Sequence, residues 1–134
     1  MATITWNKAM DVGFDEIDAD HKRLVDACNV LIDQVENGAA TCDLEKTLDR
    51  LLSEAERHFH NEERLMLEHE YPEIREHKEE HARLLYQARE LRKEFLNGDA
   101  TVPAFLAYFL SDWVKAHIIE VDRRLGRFLA GRAS

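Results

Sequence analysis

His58 and Glu62 stand four residues apart, and so do His77 and His81. Residues at i and i+4 lie on one face of an α-helix, one turn above the other. An imidazole–carboxylate pair and an imidazole pair at that spacing can each grip a cation, and these donors suit iron, manganese or zinc. Tyr71-Pro72 separates the two pairs. There one helix would stop and the next could start with proline in its first turn. The pairs can therefore face each other across a tight helix–helix connection, and the remaining ligands must come from other elements.

Those elements can be read from composition and period. The chain has 134 residues, five glycines and two prolines, and is rich in Leu, Ala, Glu, Arg and Lys. This composition predicts one all-α domain over 1–134. An irregular arm is expected over 1–16, carrying Trp6, Val12 and Phe14, with its aromatics packed on the rest. Helices are expected at about 18–37, 44–70, 72–97 and 102–130. Asp18, Asp43 and Thr101 are the expected N-caps, Gly38 and Gly98 follow helix ends, and Gly126 should weaken or bend the last helix. The first seam reads Ile17, His21, Leu24, Cys28, Leu31, Val35, and the second Leu44, Leu48, Leu51, Ala55, His58, Glu62, Leu65. The third reads Ile74, His77, His81, Leu84, Ala88, Leu91, Phe95, and the fourth Leu106, Phe109 or Leu110, Trp113, His117. Alternating spacings of three and four are bundle spacings. Short links predict an antiparallel up-down-up-down four-helix bundle.

The polar residues fall early in the first and third helices and late in the second and fourth. In an antiparallel bundle those places share one end. Burying such groups costs several kcal/mol unless they are paired or ligated. A single seam histidine is more often a satisfied core residue, but a coincident set at one level demands a compensating partner, and a metal supplies it. His60 points away from the His58 face, and His69 sits near a helix end, so neither is expected to bind metal. The ferritin-like carboxylate bundles use Glu-x-x-His, which occurs nowhere in this chain.

The formal net charge is −9, which repels nucleic acid and anionic membranes. No apolar run approaches the ~18–20 residues that cross a bilayer, and the N-terminus lacks a signal-peptide pattern. A cytoplasmic setting is expected, with Cys28 a small core residue and Cys42 a turn residue rather than disulfide partners.

The motifs Asp18-Ala-Asp-His21, His58-Phe-His-Asn-Glu62, His77-Lys-Glu-Glu-His81 and Trp113-Val-Lys-Ala-His117-Ile-Ile-Glu-Val-Asp122 together resemble the hemerythrin family in its bacterial single-domain form. Trp6 and the Tyr71-Pro72 turn fit as well, so the resemblance covers nearly the whole chain. It implies that His77, His81 and His117 bind one iron, that His21 and His58 bind a second, and that Glu62 and Asp122 bridge the two. The implied cofactor is two iron ions, Fe2+ or Fe3+, with an oxo or hydroxo bridge. Asp122 enters by resemblance alone: five residues on from His117, it lies about 140° away on an ideal helix, which implies a local distortion. Five imidazoles, two bridging carboxylates and one bridging oxygen fill about eleven of about twelve octahedral positions. The open position falls on the two-histidine iron, where O2 would bind. The resemblance also implies an apolar O2 pocket lined by Leu24, Phe59, Trp113, Val114 and Ile118. The implied function is reversible O2 binding as carrier, store or delivery protein, with O2 and an oxygen-consuming enzyme as partners. The alternatives are an O2 or redox sensor acting through a separate partner, or a di-iron enzyme for peroxide or NO chemistry.

Overall fold

A computed structural model describes residues 4–133, apart from the side chains of Ala9, Leu110, Val114, Lys115, Ile118, Ile119, Arg132 and Ala133. Helix α1 spans Asp15–Glu36, α2 Thr41–Glu68, α3 Ile74–Leu96, α4 Val102–Ala116 and α5 Arg123–Ala133. A π-helical segment, His117–Asp122, joins α4 to α5, and a 3-10 turn, Lys8–Met10, lies in the N-terminal arm. No strand occurs among the described residues. Helix α1 packs on α2 and α4, and α3 packs on the same two. That is a four-sided bundle whose fourth side is the broken rod α4–π–α5.

The apolar seams become the core. Ile17, Leu24, Cys28 and Leu31 of α1 are buried, as are Leu48, Leu51 and Leu65 of α2 and Leu84, Ala88 and Phe95 of α3. Burial of this kind, roughly 25 cal/mol per Å2 of apolar surface, drives the packing. Helices α1 and α3 end where glycines take a left-handed turn, Gly38 at φ 65° and Gly98 at φ 106°. Helix α2 ends the same way at Glu70, φ 55°, where the Tyr71 amide reaches back to the Met66 carbonyl at 2.9 Å. Tyr71 is buried in that corner, its ring 5.0 Å from Phe128 and 6.3 Å from His77.

Several expected boundaries need correcting. Helix α1 starts at Asp15, after Phe14, and not behind an Asp18 cap. The Asp18 carboxylate instead accepts the Val12 amide at 2.8 Å, tying the arm to the helix. Helix α2 starts at Thr41, leaving Asp43 inside its first turn. Pro72 precedes α3 and lies outside its first turn. The arm is held by aliphatic residues: Ile4, Met10 and Val12 are buried, while Trp6 and Phe14 are only partly so. Asn29 clasps Ile4 at both ends, accepting from its amide at 2.6 Å and donating to its carbonyl at 2.8 Å.

Gly126 has a different role from the expected bend. It lies within α5. A Cβ there would stand 2.2 Å from the Val12 carbonyl oxygen and 2.9 Å from the Val12 carbonyl carbon. Glycine therefore lets the arm's backbone lie against α5, and the arm's 3-10 turn packs on the π segment. Gly126→Ala should lower stability by roughly 1–3 kcal/mol through overpacking, although alanine favours helix by about 1 kcal/mol. Denaturant unfolding checks this. A stabilised variant would show that the arm yields freely.

Candidate metal centre

Four rods deliver the polar set to one level. Helix α1 presents His21, α2 presents His58 and Glu62, and α3 presents His77 and His81. The π segment carries His117 at its start and Asp122 at its end. All seven are buried, with Glu62, Asp122 and His21 at 0% exposure. A π turn bonds i to i+5, so it brings residue i+5 back towards the face of residue i. That is how Asp122 comes to lie 2.8 Å from His117 Nε2 through Oδ1.

Each carboxylate divides its oxygens between two groups of imidazoles. Glu62 Oε1 is 3.1 Å from His81 Nε2 and 3.3 Å from His77 Nε2. Its other oxygen, Oε2, is 3.4 Å from His58 Nε2 and 3.7 Å from His21 Nε2. Asp122 Oδ1 is 2.9 Å from His77 Nε2, while Oδ2 is 2.7 Å from His21 Nε2 and 3.6 Å from His58 Nε2. The result is two ligand clusters, Glu62–His77–His81–His117–Asp122 and His21–His58–Glu62–Asp122, in which donor atoms lie within 4.8 Å of one another. The carboxylates belong to both.

These residues fit a metal. Although His77, His81 and His117 bring Nε2 close to the Glu62 oxygens and Asp122 Oδ1, none of these fully buried atoms is aligned in a hydrogen bond. So many orphaned buried acceptors and donors at one point would be costly in a finished core. Two ligands about 2.0–2.2 Å from a shared ion at right angles stand about 3 Å apart, which is the spacing found between most of these atoms. Neither cysteine belongs to the clusters, so the donor set is hard to borderline.

Charge points the same way. Burial alone would raise Glu62 and Asp122, but the surrounding imidazoles hold both well below the ordinary carboxylate range. Burial pulls the imidazoles down, and the two carboxylates outweigh it, lifting His58 and His117 to about 10 and His77 to about 9. His21 is raised by the same pair, and burial leaves His81 lowered. In the absence of metal, protons supply the positive charge that the carboxylates require.

Outer residues orient the ligands. Glu80 Oε1 accepts from His117 Nδ1 at 2.8 Å. Asp20 Oδ2 stands 3.6 Å from His58 Nδ1 and accepts from Asn61 at 2.9 Å, while its Oδ1 takes Arg23. Metal-bound imidazoles commonly hold a carboxylate on their second nitrogen. Looking for acids beside the expected ligands would have found both, since Asp20 adjoins His21 and Glu80 adjoins His81.

Of the expected pocket residues, Leu24 and Phe59 are buried and Trp113 is partly so. The side chains of Val114 and Ile118 lie outside the described set. Phe59 stacks on His81 with centroids 3.9 Å apart, and Trp113 stacks on His117 at 4.4 Å. His60 is exposed, and neither it nor His69 joins the clusters.

Residues 12–129 match the family described as "Hemerythrin HHE cation binding domain". The chain belongs to the hemerythrin family. It is 35% identical to a bacteriohemerythrin of Methylococcus capsulatus, across 97% of this chain and 99% of the relative. A bacteriohemerythrin of Ralstonia nicotianae is 29% identical, over 98% and 93%. The fold superposes on a crystal structure of wild-type hemerythrin with a TM-score of 0.89 at 32% identity, covering 96% of this chain and 98% of that one.

Ligation requires neutral imidazoles, and His58, His77 and His117 are held protonated at pH 7. Zinc(II) or iron(II) added to the metal-free protein in weak buffer should therefore release protons, and affinity should weaken as pH falls. A pH-indicator titration reads this. Uptake of metal with no acidification would contradict the charge account.

Proposed function

We propose that this chain binds O2 reversibly at a centre of two iron ions and serves as a carrier, store or local supplier of O2. The carrying observation is the division of both carboxylates between a three-histidine and a two-histidine group. His77, His81 and His117 would hold one ion, His21 and His58 the other, and Glu62 and Asp122 both. When bound, the iron pair supplies the two electrons that reversible O2 uptake requires. The protein's part is to keep that chemistry dry and unequal. His21 and His58 leave their side one protein donor short, which gives O2 a place. Phe59, Leu24 and Trp113 surround the histidines with apolar surface, and exclusion of water and protons opposes irreversible oxidation.

The apolar character of Leu24, Phe59 and Trp113 favours binding over catalysis. A cytoplasmic setting suits Cys42, an exposed free thiol, as thiols persist in reducing compartments. No helix among the described residues is long and apolar enough to cross a membrane.

The test is spectroscopic. Protein loaded with iron, reduced without oxygen and then exposed to O2 should gain a visible absorption band that disappears when O2 is removed. Direct, irreversible oxidation with no such band would sink the carrier reading. Rapid consumption of added peroxide would favour an enzyme, and a partner bound only in the oxygenated state would favour a sensor.

A further inference from the structure

The bundle axis is not filled directly behind the histidine layer. A cavity of about 30 Å3 lies there. Its near end is lined by Leu24, Ala55, Leu84 and Trp113. Each stands one helical turn from a histidine ligand: Leu24 follows His21 by three, Ala55 precedes His58 by three, Leu84 follows His81 by three, and Trp113 precedes His117 by four. Residues so spaced share a helix face, so the cavity and the metal centre lie on the same inward faces, one turn apart. Trp113 bounds both, since its ring lies against His117.

On the α2 and α3 side the wall is less buried: Leu52 and Leu85 are half-buried, and Arg92, at the end away from the histidines, is 30% exposed. Arg92 closes that end with its Nε donated to Asp49 Oδ1 at 2.6 Å. Between the ends the wall is aliphatic apart from the Cys28 thiol.

Such a space suits an apolar guest. About 10–15 Å3 holds one water, which also needs two to four polar partners, whereas apolar cavities stay dry and take up xenon. The polar groups of the walls are one weak thiol, one indole N–H and one guanidinium already engaged. The volume is about twice the one-water minimum, enough for a diatomic molecule. Burial pushes the Cys28 thiol up to about 12, so it stays protonated and is a poor target for oxidation.

We propose that this cavity is a docking and entry site for a small apolar gas, which moves through it between the Arg92–Asp49 latch and the histidine layer. That the gas is O2 rests on the function proposed above. The cavity's preference for an apolar guest does not.

Two measurements on the full chain test this. Under xenon pressure, methyl NMR signals of Leu24, Leu84 and Ala88 should shift, and the Leu24 and Leu84 shifts should vanish in Ala88→Leu, which fills the space. In O2 kinetics a path residue changes association and dissociation by the same factor and leaves the affinity unchanged, because a path does not alter its end states. Ala88→Leu should slow both rates several-fold, and Arg92→Ala should speed both. Arg92→Ala keeps the rate test intact if the overpacked variant does not fold. Absence of xenon shifts in the wild type would overturn the gas site. Xenon shifts with O2 rates unchanged in the variants, or an affinity change in place of paired rate changes, would overturn the entry role. Xenon shifts in a wild type that lacks reversible O2 uptake would support the gas site and overturn O2 as its occupant.

Discussion

Two carboxylates, Glu62 and Asp122, lie at the bundle axis with no exposure to water. An isolated buried carboxylate is costly, and two beside each other are more so. Only positive charge between and around them makes the arrangement tenable, and the protein places five imidazoles there. Each oxygen faces its own set of ring nitrogens, so the field is answered on both sides. Protons provide the charge in the metal-free state, with His58 and His117 held near 10. Metal ions provide it more completely and also satisfy the ring nitrogens that otherwise lack a partner. The demand for cations and the capacity to bind them are one property.

Placing Asp122 in that position imposes the main irregularity of the fold. A regular helix would send it roughly 140° from His117. The π segment returns it to the axis. The arm's 3-10 turn packs on this segment, and Val12 lies against the next helix where Gly126 provides room. The Asp18 and Asn29 side chains fasten the arm to α1. The N-terminal residues thus brace the turn that positions Asp122.

Much of this was legible in the sequence. The three-and-four spacing of Ile17, Leu24, Leu31 or of Leu84, Ala88, Phe95 persists whichever residues occupy the neighbouring turns, so the helices and their inward faces could be read directly. His21, His58, Glu62, His77, His81 and His117 fell on those faces at one level. Asp122 did not, since the segment from His117 to Asp122 carries no local mark of a π turn; its backbone answers to the site and not to its own propensity. Asp18 and Asp43 misled for a related reason. Both are good caps in isolation, but one is engaged by the Val12 amide and the other lies within the first turn of α2. Gly126 read as a helix breaker because the chain it accommodates is more than a hundred residues away. Local chemistry was readable, and demands made across the fold were not.

The central claim is that Glu62 and Asp122 each join two metal ions. Anomalous diffraction at the iron edge from crystals of the iron-loaded protein tests it most directly. The account predicts two anomalous peaks per chain, one among His77, His81 and His117 and the other beside His21 and His58, with both carboxylates between them. A single peak, or two peaks of which either carboxylate touches only one, would contradict it.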